Sequence, residues 1–249
     1  VILELDDVTV TFAAGPPFRR IHLGAMRHVT LSVAEGETLG LVGESGSGKT
    51  TTSRVALGLQ RPTAGTVRFG GRPFPRRRRE LAGRMQAVLQ HPHWSLNPRM
   101  RVGQSVAEPL AVLGRLEDGR AGDAVTEVLE QVGLEAAFAG RYPHELSGGQ
   151  RQRVSIARAL VTRPGFIVFD EAVSALDVSV QVQILNLIKD LQAEYGFSAL
   201  FISHDLGAVR YVADRIAVMR AGEIVETAET ATFYTAPSHE YSKQLLEAL

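Results

Sequence analysis

Thr38-Leu39-Gly40-Leu41-Val42 running into Gly43-Glu44-Ser45-Gly46-Ser47-Gly48-Lys49-Thr50 decides the fold of this 249-residue chain. A short apolar strand leads straight into a loop with the spacing G-x-x-x-x-G-K-T, a phosphate-binding loop. Glycines at 43, 46 and 48 let the backbone curl so that successive N–H groups point inward as a nest for an anion. A helix beginning near Gly48 adds its positive end and should stop before Pro62, because the residue before a proline avoids the helical region. Lys49 supplies a point charge for the β- and γ-phosphates, and Thr50 offers a hydroxyl to Mg²⁺. Residues Gly43, Glu44, Ser45, Gly46, Ser47, Gly48, Lys49, Thr50 and Thr51 are the nucleotide-binding candidates of this stretch, with ATP as the ligand.

Working outward, Val8, Val10 and Phe12 alternate with threonines, the period-two pattern of a half-buried strand. Val29, Leu31 and Val33 repeat it, as do Val67 and Phe69, which end at Gly70-Gly71. Val125, Val128, Leu129 and Val132 fall on one helical face with Gly133 as its stop, and Ile184, Leu187, Ile188 and Leu191 form another stripe. Phe166–Phe169 and Ala199–Ile202 are continuous apolar runs, as expected of parallel strands buried on both faces. Arg215–Thr227 reads as a hairpin turning at Ala221-Gly222. Strands alternating with helices imply a mostly parallel α/β sheet, whose ligands bind outside the carboxyl ends of the strands. Gly43, Asp170 and His204 all fall at such ends. Residues of about 90–160 are helical and interrupt the alternation, so they are expected to form an inserted helical subdomain. The catalytic core is then about 1–89 with 161–249, in one domain spanning 1–249.

Asp170 and Glu171 follow the apolar run Phe166–Phe169. An aspartate there can hold Mg²⁺ through its water shell, and the glutamate is placed to orient and polarise an attacking water. Farther back, Ser147-Gly148-Gly149 heads a helix, so its N–H groups form a second anion site, with Gln150 beside them.

Leu146-Ser147-Gly148-Gly149-Gln150-Arg151-Gln152-Arg153-Val154, together with the glycine-rich loop and Asp170-Glu171, resembles the ATP-binding-cassette (ABC) family. The resemblance implies a P-loop NTPase (RecA-like) core with an antiparallel β subdomain and an inserted α-helical subdomain. It implies that Ser147–Gln150 complete the ATP site of a partner domain, so that the working unit is a head-to-tail pair of nucleotide-binding domains. Ser174-Ala175-Leu176-Asp177 resembles the loop that joins the two sites, which makes Asp177 a candidate. His204 matches the family's switch histidine at the γ-phosphate, and Gln90 the glutamine that touches Mg²⁺ and the water. Catalysis is therefore expected of Glu171, His204 and Gln90, and metal binding of Thr50, Gln90 and Asp170. Adenine is expected to stack on Phe12, with Phe18 as the alternative. Ala172 stands where the family often has proline, a change in loop stiffness that leaves the carboxylates in place.

A narrower likeness lies outside the ATP motifs. Ser95-Leu96-Asn97-Pro98-Arg99-Met100, Tyr142-Pro143-His144-Glu145 and Pro237-Ser238-His239-Glu240-Tyr241 look like the ATP-binding subunits of bacterial importers for peptides and nickel. The implied partners are a second ATPase subunit, identical or paralogous, two transmembrane permease subunits, and a periplasmic or extracellular substrate-binding protein. The implied place is peripheral, on the cytoplasmic face of the cell membrane. His91, His93 and Trp94 are expected to tune docking to the membrane subunit. Peptide is the first cargo expected, with nickel, a metallophore or an opine as alternatives. The competing class is a soluble ABC ATPase outside transport, in DNA repair, translation or iron–sulfur assembly. No sustained heptads point to a repair protein, one P-loop argues against tandem cassettes, and Ser95–Met100 favours an importer over the similarly sized assembly type.

Composition fits this reading. With 27 basic and 27 acidic residues the formal charge is zero, so no global field recruits nucleic acid. Arg76-Arg77-Arg78-Arg79 reads as a solvated helix face. No run of about 18 apolar residues offers a membrane span. The chain has no cysteine, which removes disulfides and thiolate metal sites. Many members of the importer group carry a cysteine-containing extension, and no iron–sulfur cluster is expected of these residues.

Overall fold

The structure is a computed structural model that describes residues 1–14, 21–75, 77–90, 96–116 and 121–247. The expectations placed on Phe18, Arg76, His91, His93, Trp94 and Ser95 lie outside the described residues. The chain forms two compact units, Val1–Arg76 with Ser198–Leu249, and Arg77–Phe197.

The first unit begins with strands β1 (Leu3–Ala14), β2 (Ile21–Val33), β3 (Thr38–Val42), β4 (Ala64–Phe69) and β5 (Arg72–Pro73). The second contains β6 (Met85–Leu89) and β7 (Phe166–Asp170), and the chain returns to the first for β8 (Ser198–Ile202), β9 (Arg215–Arg220) and β10 (Glu223–Glu229).

In the first unit, β2, β1, β4 and β5 make an antiparallel sheet in that order. Leu3, Leu5, Val8 and Val10 of β1 are fully buried, and a register shift between Leu5 and Val8 absorbs Asp7 at φ 50°. That bulge keeps the apolar side chains on one face although the spacing changes from two to three residues. Beside it, β3 lies between β8 and β9 and is parallel to both, and all five of its residues are buried. A strand covered on both faces needs no polar side, which is why Thr38–Val42 reads as a run and not as an alternation. The hairpin β9–β10 turns at Ala221 (φ 48°) and Gly222 (φ 90°), the two positive values that a tight two-residue turn demands.

The helix after the glycine-rich loop, Lys49–Ala56, stops before Pro62 as expected. Gly58 turns left-handed at φ 66° and Leu59 N–H bonds back to the Arg54 carbonyl at 2.7 Å, so glycine stops the helix before Pro62 can.

In the second unit, β6 and β7 pair in parallel, Met85 opposite Phe166 and Leu89 opposite Asp170. Residues 90–160, expected to be helical, lie within this unit and supply the helices Val102–Val112, Ala121–Gln131 and Gly148–Leu160. Val125, Val128 and Leu129 are buried as one stripe, and Gly133 sits at φ 74° just beyond it. The long helix Val178–Tyr195 buries Ile184, Leu185, Ile188 and Leu191. Leu187, expected in that stripe, is only half-buried, and Leu185 takes the inward place. Arg77, Arg78 and Arg79 are exposed, the last two within a single 3-10 turn, so the solvated arginines sit on a turn and not on a helix face.

Candidate nucleotide-binding site

Each unit carries part of the chemistry. In the first, the buried strand β3 delivers the chain to Gly43 and the loop closes at Gly48, which precedes helix Lys49–Ala56 at φ 113°. A Cβ at Gly48 would lie 2.5 Å from the Ala25 carbonyl oxygen and 2.7 Å from the Met219 methyl carbon, so no other residue fits. The Lys49 side chain folds back into the loop, and its Nζ donates to the carbonyls of Gly43 at 2.7 Å and Glu44 at 2.8 Å. Those bonds keep a buried ammonium satisfied within reach of the space where phosphates would sit. Glu44, Ser45, Gly46 and Thr50 are exposed along the rim, Thr51 is half-buried, and the buried Ser47 hydroxyl has no hydrogen-bond partner among the described residues.

β8 runs parallel to β3 with Leu41 opposite Ile202, so Gly43 and His204 leave the same end of neighbouring strands. His204 is exposed, and its turn is fixed on the far side by Asp205. The N–H of Asp205 donates to Ser203 Oγ at 3.0 Å, and its carboxylate caps helix Leu206–Val212 by accepting from Ala208 N–H at 3.1 Å. The loop is also gripped from the C-terminal side: Glu44 N–H donates to the Tyr241 hydroxyl at 3.1 Å, and Gly222 N–H donates to the Ser47 carbonyl at 2.8 Å. Phe12 stands on β1 opposite Leu23, 38 % exposed. That exposure leaves a ring face available and sets it apart from the buried core phenylalanines.

In the second unit, Phe166, Ile167, Val168 and Phe169 are buried, and Asp170 emerges half-buried at the carboxyl end of β7. Glu171 follows at φ 54°, a left-handed conformation that costs a residue with a Cβ about 1 kcal/mol. Ser174 explains how the turn holds: its hydroxyl donates to the Glu171 carbonyl at 2.9 Å, and its N–H reaches the same oxygen at 3.2 Å. Gln90, exposed beyond β6, donates its Nε2 to Ser174 Oγ at 3.1 Å. Gln90, Ser174 and Glu171 are therefore one hydrogen-bonded set, although sequence reasoning named Ser174 only as part of the Ser174–Asp177 stretch.

Asp177 caps helix Val178–Tyr195, accepting from Val180 N–H at 3.0 Å and the Ser179 hydroxyl at 2.8 Å. The Val180 N–H first, and then Ser179, hold this carboxyl below its ordinary value. Ser147 and Gln150 form a reciprocal capping box, Gln150 N–H donating to Ser147 Oγ at 3.3 Å and Ser147 N–H donating to Gln150 Oε1 at 2.9 Å. The box fixes the start of helix Gly148–Leu160, whose dipole and first N–H groups point out at the exposed Ser147. Gly149 is required by a neighbour: a Cβ there would meet Val180 Cγ1 at 2.7 Å.

Comparison with known proteins agrees with this geometry. A protein of Brucella abortus (strain 2308) named for peptide import and ATP binding is 50% identical over 255 residues, covering 100% of this chain and 76% of its own length. The oligopeptide transport ATP-binding protein OppF of Bacillus subtilis (strain 168) is 48% identical over 232 residues, 90% of this chain and 76% of OppF. Among solved structures, the dimeric ATP-binding cassette MJ0796 in a post-hydrolysis state with ADP and Pi is 30% identical, with a TM-score of 0.77 over 92% of this chain and 99% of that one. The cassette cbiO1 of Clostridium perfringens, part of the transporter complex cbiONQ, is 25% identical with a TM-score of 0.84 over 94% of this chain and 91% of that one. Residues 26–174 match the family described as ABC transporter, a span that begins in β2, contains the glycine-rich loop and the Ser147–Gln150 capping box, and closes on Ser174. This chain belongs to the ABC transporter family.

Proposed function

We propose that the chain is the ATP-binding, ATP-hydrolysing subunit of a bacterial importer for di- and oligopeptides. The observation that carries the ATPase part is the Gly43–Gly48 loop, with Lys49 held inside it and a helix starting behind it. The peptide part is supported by relatives named for peptide import and oligopeptide transport across nearly the whole chain. Its partners in this reading are a second ATPase subunit, two transmembrane permease subunits and a substrate-binding protein, with the chain peripheral on the cytoplasmic face of the membrane. Among the described residues, no helix is long and apolar enough to cross a membrane.

The loop N–H groups and Lys49 bind the triphosphate, Lys49 exchanging its bonds to Gly43 and Glu44 for phosphate oxygens. Phe12 stacks on the adenine. Thr50, Asp170 and Gln90 bring hydroxyl, carboxylate and amide oxygens, a hard donor set with one carboxylate, which suits Mg²⁺ shared with phosphates and water. A Mg²⁺ held by these residues would supply charge neutralisation to the phosphates during transfer. Glu171 accepts a proton from the attacking water, and Gln90 and Ser174 keep its backbone from drifting. His204 contacts the γ-phosphate. Ser147–Gln150 and Asp177 serve the nucleotide of the paired ATPase subunit, and the helical segment of about 90–160 carries closure to the permeases.

The test is ATP hydrolysis by the purified chain, alone and with its paired ATPase, permeases and binding protein in lipid. Strong stimulation by the partners and by peptide is the expected result. High turnover from the isolated chain, unchanged by any membrane partner, would refute the importer reading.

A further inference from the structure

The segment Pro237–Tyr241 resembles that of peptide importers, yet nothing in the ATPase chemistry above uses it. In the fold it reaches the phosphate loop. Tyr241, on the helix Glu240–Glu247, is 2 % exposed, and its hydroxyl accepts the Glu44 N–H at 3.1 Å. The Glu44 N–H and the Gly43 carbonyl belong to a single planar peptide unit. That carbonyl, like the Glu44 carbonyl, accepts from the Lys49 ammonium. A hydroxyl that fixes the plane on its N–H side therefore also fixes where its carbonyl, and with it Lys49, can sit.

Tyr241 is itself held from two directions. The Arg220 guanidinium carbon lies 4.7 Å from the centroid of its ring. The Glu226 carboxylate accepts the N–H and the hydroxyl of Ser238, each at 2.8 Å, and the N–H of His239 at 3.0 Å. His239 Nδ1 then accepts the Tyr241 N–H at 3.1 Å. Glu226, on β10, thus pins the start of the helix that carries Tyr241.

We infer that Tyr241 is a positioning residue for nucleotide binding: it locks the Gly43–Glu44 peptide plane that orients Lys49, and Glu226 fixes Tyr241 in turn. The inference rests on the reading of Gly43–Thr50 as the ATP site. The experiment uses the full chain, a fluorescent ATP analogue for equilibrium binding, and steady-state hydrolysis in the assembled complex. Tyr241→Phe keeps the ring and its contact with Arg220 but removes the acceptor. One lost hydrogen bond should raise the Kd for the analogue and the KM for ATP about 3- to 10-fold, with kcat within about twofold. Glu226→Gln should shift the Kd in the same direction, and the double variant should be no worse than the weaker-binding single one, because both act through one contact. Unchanged nucleotide affinity in Tyr241→Phe, with a lower melting temperature in the absence of nucleotide, would overturn the inference and leave Tyr241 a packing residue. If Lys49→Ala bound the analogue as tightly as the parent chain, the ATP-site reading itself would fall, which separates the two failures.

Discussion

Replacing Glu226 by glutamine tests how much free energy one carboxylate stores. The side chain is 8 % exposed, and burial alone would push its carboxyl up. The nearby hydroxyl of the buried Ser242 first, and then the N–H of Ser238, the N–H of His239 and the Ser238 hydroxyl, outweigh that. The result is a carboxyl held at about 2 instead of 4.5. At 1.36 kcal/mol per pH unit this amounts to roughly 3 kcal/mol, and solvent screening near the surface trims it to about 2. Because the folded value is depressed, the contribution is fully present above pH 4.5 and is lost as the pH falls from there toward 2. Glutamine keeps the shape, removes the charge and turns an amide group toward donors it cannot accept from. Melting of the parent chain and Glu226→Gln should differ by about 4–8 °C at pH 7, and by much less at pH 3. A gap of equal size at both pH values, or none at pH 7, would refute the electrostatic account.

Lys49→Ala removes the ammonium that bridges two loop carbonyls, and the affinity for ATP should fall at least about tenfold in equilibrium titration. Glu171→Gln keeps the turn and its hydrogen bonds to Ser174, so ATP should still bind. Hydrolysis should drop on the order of 100-fold, with a closed ATP-bound dimer accumulating on size exclusion. Gly149→Ala places a methyl group 2.7 Å from Val180 Cγ1, and overpacking of about 1–3 kcal/mol should lower the melting temperature. Combining it with Val180→Ala should restore most of that loss; an unrestored double variant would contradict the steric cause.

The parts legible in the chain are those where local pattern and tertiary demand agree. β3 and β7 are apolar runs because they are buried on both faces, and each ends on a residue type that only chemistry explains, Gly43 and Asp170. The hairpin at Ala221-Gly222 and the capped helix at Ser147 follow from turn and cap preferences alone. Helix Lys49–Ala56 stops before Pro62 as expected, and the residue that ends it is Gly58, which turns left-handed first. In Val178–Tyr195, Leu185 and Leu187 flank the line of Ile184, Ile188 and Leu191 on opposite sides, and the helical period alone does not say which flank is covered. Less accessible still were the contacts between distant residues. Nothing in Tyr241 announces a bond to Glu44, 197 positions away, and nothing in Gln90 announces Ser174, 84 positions away. Both are polar pairings that exist only once the backbone has brought the partners together.

The left-handed backbone at Glu171 makes the carboxylate proposed to activate water a latched part and not a soft one. Relaxation out of φ 54° would release about 1 kcal/mol, and the struts opposing it are the two hydrogen bonds from Ser174 and the Gln90 amide behind them. Ser174→Ala removes the hydroxyl strut and should lower kcat while leaving the equilibrium affinity for ATP unchanged. Equal loss of both would mean that the turn merely packs. If Glu171 activates the water as proposed, the 3.1 Å hydrogen bond from Gln90 to Ser174 ties the position of that glutamine to the backbone that carries the carboxylate.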